Sequence, residues 1–87
     1  MPLFVIERKI PGSGQLTAEQ RKAIAAKSCD VADGLPGYKW HHSYVVDDTW
    51  YCIHEAPSAE VVKEHARRGG FPADRVSEVK FVVGPEG

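Results

Sequence analysis

The segment Tyr38–Pro57, YKWHHSYVVDDTWYCIHEAP, carries three of the chain's four histidines, His41, His42 and His54, together with Cys52, one of its two cysteines. Imidazole nitrogens suit nickel, zinc and copper, and a thiolate adds affinity for the softer ions. Convergence of these groups depends on how the segment folds back on itself. A bend at Asp47-Asp48 or Asp48-Thr49 makes it a hairpin, and strand side chains alternate between faces. One face then carries Trp40, His42, Tyr44 and Val46 with Tyr51, Ile53 and Glu55. The other carries His41, Ser43 and Val45 with Trp50, Cys52 and His54. With Asp47-Asp48 as the turn, His41 stands opposite His54, Cβ atoms roughly 5 Å apart, and Cys52 lies two residues along the same face. Two imidazoles so placed chelate one divalent ion. The ordinary alternative is a pair of solvated or hydrogen-bonded rings at a sheet end.

The other reactive side chains have simpler readings. Cys52 between Tyr51 and Ile53 reads as buried packing, and Cys29 in mid-helix as a core residue. Trp40, Tyr44 and Tyr51 form an aromatic cluster suited to a core or a dimer contact. His65 falls near the end of a helix, where the helix dipole stabilises an imidazolium; its competing role is a ligand or general base facing a cleft. Arg67 and Arg68 read as a solvated face. No nucleophile–base–orienter constellation and no phosphate-cradling glycine loop is present, so the sequence gives little support to an enzyme.

Around the hairpin, Leu3–Ile10 is rich in β-branched and aromatic residues and stops at Pro11-Gly12-Ser13-Gly14, a strand and its loop. Thr17 and Gln20 have capping-box spacing. The helix they begin carries Ile24, Ser28, Val31 and Leu35, and Gly34 ends it. Ser58 caps a second helix whose apolar positions are Val61, Val62, His65 and Ala66, terminated by Gly69-Gly70. Val76–Val83 completes the set as a last strand. The order βαββαβ predicts a ferredoxin-like α+β sandwich, an antiparallel sheet with two helices on one face. The compact Val45 and Cys52 favour that side as the one under the helices, which places His41 and His54 towards its edge.

Eighty-seven residues at net charge −1 fit one domain, residues 1–87, with a thin core that pairing with a second copy would support. There is no basic stripe for nucleic acid, no apolar run of the ~20 residues that cross a membrane and no signal-peptide pattern at the start. The expected setting is cytoplasmic, with both cysteines reduced.

Five strings, ERKIPGSGQLTAEQ, AIAAKSCDV, W-x-x-SYVVDD, YCIHEAP and EHARRGGFPADRVSEV, closely resemble a family of small bacterial proteins of formerly unknown function. It includes an actinobacterial nickel-binding protein of ferredoxin-like fold. The resemblance runs from about Pro2 to Val83. Trp40, Ser43, Tyr44, Tyr51, Cys52, His65, Gly70, Phe71 and Pro72 stand where the family pattern has them. The resemblance implies a homodimer that binds nickel at its surface, for sequestration or buffering. The candidate metal ligands are His41, His54, His42, His65 and Cys52, with zinc and copper open beside nickel. One alternative is a small cofactor-free enzyme of the dimeric α+β barrel type, with His42 or His65 as acid–base group near Tyr44. A partner-binding module anchored by an exposed Trp50 is another.

Overall fold

Strict alternation along Leu3–Lys9 (β1) turns Phe4, Ile6 and Arg8 to one face, where all three are buried. The computed structural model describes residues 1–87. Ser13–Gln15 forms one 3₁₀ turn, and Ala18–Asp33 (α1) follows. Thr17 accepts from the Gln20 N–H while the Gln20 side chain accepts from the Thr17 N–H, so the capping box is complete. Lys39–Val46 (β2) and Thr49–Glu55 (β3) form a hairpin closed by Asp47-Asp48. Asp47 takes the left-handed conformation, φ 51°, which its short polar side chain tolerates. Ala59–Gly69 (α2) starts at Ser58, whose hydroxyl accepts from the Val61 N–H, and stops at Gly70 in the left-handed region, φ 69°. Arg75–Glu78 (β4) ends the regular structure.

The sheet order is β2-β3-β1-β4, antiparallel throughout. Both helices cover the face that bears Phe4, Ile6, Trp50 and Cys52, and those residues form the core with Ala32, Leu35, Tyr38, Ala56 and Val62. The Cys52 side is therefore the covered one, as its compact side chains suggest. Full burial of a residue such as Phe4 or Ile6 contributes about 1.5–3 kcal/mol. Only 16 of 87 residues are buried in the single chain, so few positions carry that contribution. The uncovered face leaves Tyr44 60% exposed beside the half-buried Tyr51 and Ile53.

Four expectations need correction, the first being Cys29, which is exposed on α1 and not a core residue. A β-bulge falls between Trp40 and His42, so the partner of His54 is Trp40 and not His41. The extra residue breaks the two-residue period and moves Trp40 onto the inner face, its Nε1–H donating to Ser43 Oγ at 3.0 Å. The last strand is four residues long and does not reach Val83. It pairs antiparallel to β1, with Phe4 opposite Glu78 and the Val79 N–H on the Leu3 carbonyl. Beyond that point β1 has no backbone left to offer, and Phe81, Val82 and Val83 are about four-fifths exposed. Trp50 is buried, not an exposed anchor, because β3 alternation turns it under the helices with Cys52 and His54.

Candidate functional site

The structure divides the five candidate ligands among three places. His54 and His65 meet in the interior, from β3 and α2 respectively, and both are essentially sealed from solvent. Cys52 is buried in the same layer, opposite Ser43 on β2 and Ile6 on β1. His41, the bulged residue, reaches Glu55 at the end of the sheet. His42 lies on the open face, 5.1 Å from the Tyr44 ring in an edge-to-face contact.

The interior pair is built around Tyr38, which leads into β2. Its ring stacks on His65 at 4.6 Å and 3°, and meets His54 edge-on at 5.2 Å. The two imidazoles are 5.1 Å apart, nearly perpendicular. Nε2 of His65 lies 3.0 Å from the Ser28 carbonyl oxygen and must donate to it. That fixes the tautomer and leaves Nδ1 as a bare, buried lone pair with no partner. Burial raises the Tyr38 hydroxyl well above its ordinary value, so it keeps its proton, and it shares a hydrogen bond with His54 Nδ1. Burial lowers His54 to about 3, helped by the nearness of the His65 ring, which would repel a second imidazolium, and by the Arg8 charge. His65 is lowered by burial as well, against the opposing pull of its Ser28 hydrogen bond. Both imidazoles are neutral bases, and His65 acts in the core rather than as a charged helix cap.

As a metal site the interior is incomplete. His54 Nδ1 is engaged by Tyr38, and no group of three or more His, Cys, Asp or Glu side chains is close enough to hold an ion anywhere in the single chain. At the surface, His41 Nε2 stands 3.2 Å from Glu55 Oε1, with side chains 31% and 30% exposed. That pair offers one imidazole nitrogen and one carboxylate oxygen to the same point in space. Of the two histidines considered for acid–base work between subunits, His42 faces the open side of the sheet and His65 lies behind it.

Sequence reasoning passed over Tyr38, Ser28, Glu55 and Arg8. Alternation in LFVIERK puts Arg8 in line with Phe4 and Ile6, which was the available signal. The links from Ser28 to His65 and from Tyr38 to His54 have none, since they join residues 37 and 16 positions apart.

The element order and the 2-3-1-4 sheet define a ferredoxin-like α+β domain, and no helix is long and apolar enough to cross a membrane. A family model described as "Nickel responsive protein SCO4226-like" matches residues 4–79, and the chain belongs to that family. The fold is similar to that of SCO4226 from Streptomyces coelicolor A3(2), known from a crystal structure. The TM-score is 0.79 at 24% sequence identity, over 93% of this chain and 99% of that one. No curated protein matches the chain by sequence.

Proposed function

We propose that this protein binds nickel at its surface, as a homodimer, in a sequestering or buffering role. The observation that carries the reading is the His41–Glu55 pair, two accessible donor atoms 3.2 Å apart at the end of the sheet. Imidazole and carboxylate together suit borderline divalent ions, and water or a second copy would complete the shell. An ion takes the place of the hydrogen between the two side chains, so binding releases any proton held there. Membership of a nickel-responsive family supports the choice of nickel, though zinc and copper fit the same donors. The dimer is supported by the exposed Tyr44 and by Phe81–Val83, a run of exposed apolar residues outside the sheet. His54, His65 and Cys52 are left to the interior, where hydrogen bonding and packing already use them.

Calorimetric titration with nickel and zinc tests the assignment. His41→Ala and Glu55→Gln should each weaken nickel binding, with the double change adding little to either, because both act through one ion. His54→Gln should leave stoichiometry unchanged. Full affinity in both surface variants removes His41 and Glu55 from the site and makes His42 the next candidate.

A further inference from the structure

Arg8 is 3% exposed, yet none of the chain's carboxylates lies within ion-pair distance of it. Of its five N–H donors, one is used, by NH1 to the Pro72 carbonyl oxygen, and the guanidinium sits 5.5 Å above the Phe71 ring. A buried charge is ordinarily paired, because removal from water is costly without a counter-charge. The adjacent Glu7 points to the other face and pairs with Arg75, while Asp74 accepts from the Lys9 backbone N–H. Nothing in the chain neutralises Arg8. Its field reaches both interior histidines and adds to the lowering of each.

A second unused donor stands beside it. Trp50 is the direct cross-strand partner of Arg8, and its buried Nε1–H has no hydrogen-bond partner. Both residues line a cavity of about 20 Å³ between the sheet and α1. Ser43 lines it too, and since its oxygen accepts from Trp40 its own hydroxyl proton is free to donate. No acidic residue is among the ten that form the walls. Arg8, Ser28, Trp50, Cys52 and His54 are buried at its inner end, whereas Ile10, Ile24 and Phe71 are half-buried and form an apolar mouth. A space of this size admits about one water-sized group, so a ligand's head enters and its body stays at the mouth.

We propose that this cavity is a binding site for a small monocarboxylate with an apolar body. The carboxylate would be held by the Arg8 guanidinium and the Trp50 indole N–H, and the body would lie against Ile10, Ile24 and Phe71. A carboxylate matches the planar guanidinium fork, which binds it through two parallel hydrogen bonds. The site shares no residue with the His41–Glu55 pair and stands or falls independently of metal binding.

Trp40 and Trp50 both line the cavity, so indole fluorescence reports on it directly. The full chain is titrated with sodium hexanoate, with sodium chloride at equal ionic strength, and with hexan-1-ol. Hexanoate should give a saturable change in emission and a rise in melting temperature, with chloride and the alcohol each about tenfold weaker or more, the factor carried by a hydrogen bond to a charged group. Arg8→Met should abolish the difference between hexanoate and hexanol. Trp50→Phe removes the N–H together with part of the apolar wall and leaves Trp40 as reporter, so hexanol on the same variant measures the lost packing. The substitution should weaken hexanoate several-fold more than hexanol, and it decides the matter if Arg8→Met does not fold. Equal responses to hexanoate and hexanol overturn the proposal, as does a chloride response matching hexanoate. Hexanoate affinity unchanged in Trp50→Phe likewise overturns it.

Discussion

His65 donates from Nε2 to the Ser28 carbonyl, His54 shares a hydrogen bond with Tyr38, and burial keeps both rings neutral in the fold. In the unfolded chain they protonate freely near pH 6.5. The unfolded state therefore holds more protons at mildly acid pH, and stability must be lost as pH falls from about 6.5 towards about 3, the folded value of His54. Between pH 7 and pH 5 the neutral His54 should cost about 2 kcal/mol, and His65, lowered by burial as well, adds in the same direction. Urea midpoints at those two pH values will show the loss, and His54→Gln should make it smaller. A midpoint that does not move would mean that the rings titrate in the fold as they do in water.

The helices owe their limits to single residues, and these give predictions at the level of the element. Thr17→Ala removes an oxygen that accepts from the Gln20 N–H and should cost about 1 kcal/mol. Gly70 is held at φ 69° with only the Lys27 Nζ within 4 Å, at 3.8 Å from an added Cβ. Gly70→Ala should therefore cost about 1 kcal/mol through backbone conformation alone, and Gly70→Asn less. Gly69 differs, since an added Cβ would collide with the Phe71 ring. Phe71 stacks on His65 and lies beneath Arg8, so Gly69→Ala should disturb the interior cluster as well as the helix end. Chemical denaturation of the three variants separates the two effects: Gly70→Ala should shift the midpoint with the Trp emission unchanged, while Gly69→Ala should change both.

For the whole molecule the thin core and the open sheet face point the same way. Light scattering should give twice the mass of one 9.6 kDa chain. If folding and pairing are linked, the melting temperature should rise with protein concentration, as mass action requires. Tyr44→Asp and Phe81→Asp place a charge on exposed apolar positions of the open face and of the segment after β4, and should shift the population towards monomer. A melting temperature independent of concentration, with a monomer mass, removes the dimer.

Element identity was legible because its causes are local. Alternation in β1 and β3, the Thr17–Gln20 box, the Ser58 cap, the Asp47-Asp48 turn and the Gly70 stop each lie within a few residues of what they control, and all are realised in the fold. The site was legible only as a set of residue types. The single extra residue at His41 exchanged the partner of His54 for Trp40, and nothing in HHS announces a bulge that only pairing with β3 defines. The end of β4 was fixed by where β1 begins, a limit set by a strand more than 70 residues away. His65 looked like a helix terminus in one dimension and became a core residue in three, because α2 lays that turn against Ser28 of α1. Arg8 carried its charge inward by the same alternation that buries Phe4 and Ile6, but the absence of a carboxylate around it is a property of every element packed there. Local chemistry sets which strands and helices form; which side chains meet is decided by how those elements close on one another, and the binding chemistry of this protein lies in those meetings.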